Sequence, residues 1–179
     1  MNQVARVPDL RVVISADQLQ KRVRELALQI SHDYQGRTVH ALAMLENGFI
    51  FMADLVRAID VPVICQFIKP RYRRNLEGKP DGFIEIFFSH DAHIEGHDVL
   101  LIEGIIHSGV TTDFLVNDLK SRGAASVKTA TLLDRQTARR VPFQPDYFGF
   151  LVDDAFLVGY GLGSLQQTDR NLACIASTG

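Results

Sequence analysis

"VLLIEGIIHSGVTT", residues 99–112, decides the fold. Val99 to Ile102 is an apolar run of strand length that ends on an acid, Glu103. Such a run, bounded by turn residues, fits a strand buried on both faces. Ser108-Gly109 supplies a turn, and Val110-Thr111-Thr112 opens a helix. The first amides of a helix lack internal partners and sit at its positive pole, so they favour an anion. Gly109 permits a left-handed turn or a close backbone approach, and the threonines add hydroxyls. The same residues also make an ordinary helix cap, so anion binding and capping are both open from the residues alone. The longer glycine-rich loop ending in Lys-Ser/Thr of nucleotide triphosphatases is not this pattern.

Outward from this stretch, strands and helices alternate. Ser15 and Gln18 have capping-box spacing, and Leu19, Val23, Leu26 and Ile30 follow on one helical face. That helix is expected to run to about Tyr34, with Gly36 as its stop. Val39–Leu45 reads as a strand, Glu46-Asn47-Gly48 as a turn, Phe49–Ile59 as a helix and Pro62–Ile68 as a strand. Residues 69–82, with Pro70, Gly78, Pro80, Gly82 and five Lys or Arg residues, read as a long mobile basic loop. It is either a lid or a solvated loop. Strands are expected at Gly82–Phe88, Asp98–Ile102, Ser126–Leu133, Tyr147–Leu151 and Phe156–Val158. A helix is expected over Thr111–Arg122, ended by Gly123. The sum is an α/β fold with a mostly parallel sheet flanked by helices, and ligands at the carboxyl ends of the strands.

The chain has 179 residues, which fits one domain (1–179). Hydrophobic residues are 46%, charged residues 22%, and the net charge is −2. That balance gives no general attraction to nucleic acid or membrane. No apolar run reaches the ~20 residues that span a bilayer, and Met1–Asp9 does not read as a signal peptide. Cys65 and Cys174 lie in apolar runs and are expected as buried thiols, which suits a reducing cytoplasm. Neither has metal-ligand spacing around it.

"VLLIEGIIHSGVTT" resembles the phosphoribosyl pyrophosphate motif of the type I phosphoribosyltransferases. Its surroundings resemble the hypoxanthine–guanine members: "MLENGFIFMADLVRAI" (44–59), "TLLDRQTARRVPFQPDYFGF" (131–150), "FLVGYGLG" (156–163) and "RNL" (170–172). The likeness runs from about Ile14 to Ile175. It implies a type I phosphoribosyltransferase-like sheet with a small hood from the chain termini, its C-terminal part at about 152–179. It implies transfer of ribose 5-phosphate from phosphoribosyl pyrophosphate to a purine base, in nucleotide salvage, with Mg²⁺. A cytoplasmic homo-oligomer is expected, with no membrane or nucleic-acid partner.

Carried over residue by residue, the resemblance makes Ser108, Gly109, Val110, Thr111 and Thr112 the 5′-phosphate cradle. Glu103 becomes the ribose-binding acid and a candidate Mg²⁺ ligand. Leu45, Glu46, Asn47, Gly48 and Arg170 become the pyrophosphate side, and Arg135, Phe156 and Leu157 the purine side. The family places acids where Gly104, His107 and Gly163 stand. His107 is the candidate general base, since imidazole suits proton transfer near neutral pH. It could equally donate one hydrogen bond, or be tolerated in a loop without chemistry. Glu46 weakens pyrophosphate binding if it points inward and costs little if it points to solvent. Phe156 is a purine stacker or a core residue, and Arg170 an anion contact or a surface arginine. With three acids missing, metal binding and activity are expected to be weakened or altered. Two alternatives are a non-catalytic regulator that binds purine nucleotide or phosphoribosyl pyrophosphate, and a supporting subunit of an active paralogue.

Overall fold

The computed structural model describes residues 10–74, 80–88, 94–164, 166 and 168–178. Its main sheet has six strands in the order β4-β3-β2-β5-β6-β7. These are β2 (Val39–Met44), β3 (Val63–Arg74), β4 (Pro80–Phe88), β5 (Asp98–Ile106), β6 (Ser126–Asp134) and β7 (Tyr147–Leu151). All neighbours are parallel except β3 and β4. Helices α2 (Phe49–Ala58) and α3 (Val110–Ser121) link parallel strands of this sheet, and α1 (Ala16–Asp33) leads into β2. A second sheet, ordered β1-β9-β8, joins the two ends of the chain: β1 (Leu10–Ile14), β8 (Leu157–Val158) and β9 (Ile175–Thr178). This is the small hood. Sequence reading had no strand at β1 or β9.

The local signals behave as chemistry requires. The Ser15 hydroxyl accepts from the Gln18 amide, and the Gln18 side chain accepts from the Ser15 amide, closing the capping box. Leu19, Val23, Leu26 and Ile30 are buried along α1. In β5 alternate side chains feed opposite layers. Leu100 and Ile102 join the core under α1 and α2, whereas Val99 and Leu101 join Leu115 and Leu119 under α3. Burial on both faces explains the unbroken apolar run.

Three expectations are corrected. First, β5 does not end at Ile102: pairing with β6 continues to Ile106 opposite Asp134, so Glu103 and Gly104 are sheet residues. Second, most of the stretch from 69 to 82 is strand. Lys69 lies opposite Phe87 and Arg71 opposite Glu85 in the β3–β4 ladder. Pro70 and Pro80 had suggested a loop, yet Pro80 is the first residue of the edge strand β4, and Pro70 lies in β3 beyond Ile68, where pairing with β2 has ended. Residues 75–79, and the side chains of Arg71, Tyr72, Arg73 and Arg74 on which a lid would depend, lie outside the described residues. Third, Cys65 is exposed and Cys174 only partly buried. The first half of β3 buries little beyond Gln66 and Ile68.

At the amino ends of the strands, His40 is 5% exposed and stacks on His97, with ring centroids 4.1 Å apart. Burial lowers the His40 pKa, and the neighbouring His97 lowers it further, against a smaller opposing pull from Asp98. The unfolded chain then binds the proton more readily than the folded one. The stability His40 contributes is present above its ordinary pKa of about 6.5 and is lost as pH falls. Urea unfolding at pH 7 and pH 5 should show a smaller acid loss for His40→Leu than for wild type. Equal losses would remove His40 from the acid response.

Candidate active site

Strand order sets where a ligand can lie. The chain leaves β2 toward β3 and β4, then returns to place β5 on the other side of β2. Crevices form at the carboxyl ends of strands where the order reverses in this way. The loop after β2, Leu45–Gly48, and the loop after β5, His107–Gly109, therefore sit side by side.

The β5–α3 junction is a left-handed turn. Gly109 has φ +76 and caps α3, and an added Cβ would lie 3.2 Å from Arg139, Val141 and Phe143. The helix opens at Val110, whose amide donates to the Ser108 hydroxyl at 3.4 Å. The left-handed conformation favours glycine here, and a Cβ would also need these side chains to yield by a few tenths of an ångström. Thr112 faces inward instead: it is 2% exposed and hydrogen-bonded to Glu103.

Glu103 is buried in the sheet, and its Oε1 has no hydrogen-bond partner. Burial pushes its carboxyl up to about 7, opposed by Thr112 and the positive charge of Arg139. The carboxyl lies beneath the β5–α3 turn, shielded from solvent.

His107 and Arg135 form a pair, with Arg135 Nη1 3.2 Å from His107 Nδ1. A guanidinium only donates, so Nδ1 accepts, and the ring proton of neutral His107 lies on Nε2. Partial burial lowers the His107 pKa, and the charges of Arg135 and Arg139 lower it further, keeping the ring neutral near pH 7. Arg135 is itself buried and also donates to the Ala155 carbonyl. Its Nε has no hydrogen-bond partner.

Two residues that sequence reading missed hold this loop. Arg139 donates to the His107 carbonyl at 2.6 Å and to the Phe143 carbonyl at 3.0 Å. It also forms an ion pair with Asp134, whose side chain is fully buried. An acid at the end of a buried strand followed five residues later by arginine was the only sequence trace of it.

His107, Arg135, Phe156 and Leu157 share the wall of a cavity of about 120 Å³ with Asn47, Ile105, Leu162 and Gly163. Phe156 is 45% exposed, so it is not a core residue. A larger groove of about 500 Å³ between the hood and β7 shares only Leu157 with this wall and gathers none of the loop residues.

In the loop after β2, the Leu45–Glu46 peptide is cis. Asn47 packs its backbone onto β5: a Cβ on Gly104 would lie 2.3 Å from the Asn47 carbonyl oxygen. Glu46 stands at the surface, accepting from Lys69 Nζ at 2.8 Å and from Arg170 Nη2 at 3.5 Å. Lys69 is the main cause of its lowered pKa. Arg170 also donates to Asn47 Oδ1 at 2.8 Å and to the Gly161 carbonyl. Its guanidinium fills the space beside Gly163, where a Cβ would sit 2.9 Å from Cζ.

A strand-order reversal between β2 and β5, with a glycine turn and a lined cavity beside it, defines an open α/β fold with a ligand crevice at the carboxyl ends of its strands. The phosphoribosyl transferase domain model matches residues 15–165, and the chain belongs to that family. It is 38% identical to the hypoxanthine-guanine phosphoribosyltransferase of Bacillus subtilis over 92% of this chain and 91% of that one. It is 39% identical to the bifunctional protein TilS/HprT of Listeria innocua, but spans only 25% of that protein's length. A hypoxanthine-guanine phosphoribosyltransferase structure from Bacillus anthracis superposes with TM-score 0.86 at 35% identity, covering 96% of this chain and 99% of that one. A hypoxanthine phosphoribosyltransferase from Staphylococcus aureus gives TM-score 0.88 at 31% identity, with 96% and 92% covered.

Proposed function

We propose that the chain is a purine phosphoribosyltransferase of the hypoxanthine–guanine type, working in nucleotide salvage with altered proton and metal chemistry. One observation carries this reading. The Gly109 turn at the head of α3 and the cavity lined by His107, Arg135 and Phe156 sit at one strand-order crossing. A phosphate on the turn and a base in the cavity are the two ends of a nucleotide.

In this reading the amides of Gly109–Thr112 hold the 5′-phosphate, helped by the Ser108 and Thr111 hydroxyls. Thr112, turned inward, links the cradle to Glu103, which positions it from below. Phe156 stacks on the purine. Arg135 donates to an exocyclic oxygen of the base, and the backbone of Leu157 lines its edge. His107 presents its Nε2 proton to a ring nitrogen that carries a lone pair. A donor there suits the purine of a finished nucleotide better than a free base that must shed a ring proton. Forward transfer is therefore slower than a carboxylate at residue 107 would allow. Leu45–Gly48 and Arg170 face the leaving pyrophosphate.

Enzymes of this family use Mg²⁺, but the donors here do not fit a protein-held ion. Glu103 is the one acid placed for it, and its carboxyl is buried against Thr112. Among the described residues no three His, Cys, Asp or Glu side chains converge. Any magnesium would arrive on the phosphates of phosphoribosyl pyrophosphate, as part of the substrate.

The test is direct. The protein is mixed with magnesium phosphoribosyl pyrophosphate and hypoxanthine, guanine or xanthine, and nucleotide is followed by chromatography. Slow formation of nucleotide from at least one base is expected. Absence of turnover with every base, together with no binding of GMP or IMP, would sink the reading. Turnover surviving in His107→Ala would remove His107 from proton transfer.

A further inference from the structure

The cations of the pyrophosphate side already hold an anion. Glu46 spans Lys69 of β3 and Arg170 of the segment before β9, two side chains brought together from distant parts of the chain. The three differ in how firmly they are fixed. Arg170 is pinned by the Gly161 carbonyl and Asn47 Oδ1 and rests against Gly163. Its side chain is only 18% exposed, whereas those of Glu46 and Lys69 are each 49% exposed. Arg170 therefore keeps its place whether or not Glu46 touches it. Glu46 is the removable member, since a solvent-exposed ion pair is weak. The clasp also borders the cavity, because Asn47 and Gly163 line both.

We propose that Glu46 is a displaceable internal anion in the seat of a diphosphate group, and that Lys69 and Arg170 grip the diphosphate without a divalent ion held by the protein's own acids. This rests on the phosphoribosyltransferase reading. The carboxylate and a diphosphate both bridge cations, but a diphosphate carries more charge and more acceptor oxygens. It wins the seat by swinging Glu46 out to solvent. Glu46 thereby sets the affinity for the leaving group and for phosphoribosyl pyrophosphate.

The experiment is calorimetric titration of inorganic diphosphate into wild type, Glu46→Gln and Arg170→Gln, with EDTA present and at low salt. Removing a like charge a few ångströms from a multivalent anion should tighten Glu46→Gln binding about tenfold, with the gap shrinking as salt is added. Arg170→Gln should weaken binding at least tenfold. Thermal melts confirm that each variant is folded. Equal Kd values for wild type and Glu46→Gln would overturn the proposal. So would diphosphate binding that appears only when Mg²⁺ is supplied. Titration of wild type with GMP separates the two readings, since it reports on the cradle and cavity alone. No GMP binding alongside a tightened Glu46→Gln would leave the anion seat standing and remove the purine function.

Discussion

Gly104→Asp is expected to damage the protein, not to restore it. Resemblance to the family suggests that an acid is missing at residue 104, and a designer would put it back. The structure shows why this fails. Any Cβ at residue 104 would lie 2.3 Å from the Asn47 carbonyl oxygen and 2.8 Å from its carbon. These are backbone atoms and cannot swing aside as a side-chain tip could. Gly48 is also close-packed, since its Cβ would meet the Met44 carbonyl oxygen at 2.9 Å. The Leu45–Gly48 loop must therefore lift, which draws Asn47 from Arg170 and opens the cavity wall. Overpacking of this kind costs about 1–3 kcal/mol, and an added carboxylate without a partner raises that figure. Thermal melting and nucleotide formation should both fall, the second by at least tenfold. Gly104→Ala separates the causes: most of the loss should appear there as well, because the Cβ alone makes the clash. A rise in activity in Gly104→Asp would show that the loop yields freely and that the missing acid was the whole defect.

How much was legible in the sequence depends on how local the cause is. The capping box at Ser15 and Gln18 and the stripe on α1 involve neighbours in the chain, so spacing sufficed. The buried run of β5 and the glycine turn before α3 were legible for the same reason. The β3–β4 ladder was obscured because Pro70, Pro80 and the nearby glycines signal a loop, and neither the edge position of β4 nor the end of β2 pairing before Pro70 can be read from the sequence. β1 and β9 pair residues at opposite ends of the chain, from Leu10 with Thr178 onward, so no local turn marks their pairing. At the site, residue types were legible but partners were not. Gly104 and Gly163 read as lost acids, yet their space is taken by the Asn47 backbone and the Arg170 guanidinium. Glu46 read as a question of direction, and the answer is that it stands at the surface between two cations. His107 read as a base, a donor or a bystander, and the partner that sets its tautomer, the Arg135 guanidinium on Nδ1, lies 28 residues further along the chain.

The second large effect belongs to Asp134, which no motif singled out. Its carboxylate is fully buried, accepts from Arg139 and from Gln136 Nε2 at 3.2 Å, and faces an arginine side chain only 14% exposed. Removing one member of a buried pair strands the other charge, at a cost of about 3–5 kcal/mol. Asp134→Ala should therefore lower the melting temperature by about 6–20 °C, given roughly 2–4 °C per kcal/mol for a domain of this size. Arg139 does more than neutralise Asp134, because it also ties the carbonyls of His107 and Phe143. Those bonds fix the loop that carries His107 beside the cradle. A double variant, Asp134→Ala with Arg139→Met, removes the stranded charge and should recover much of the stability, since buried pairs are often replaceable by apolar side chains. It should not recover GMP affinity, because methionine cannot hold the loop carbonyls. Stability returning while nucleotide binding stays weak would mark Arg139 as the residue that positions the His107 loop. Both returning together would make the pair a purely structural element, and the placement of His107 would then have to come from the sheet itself.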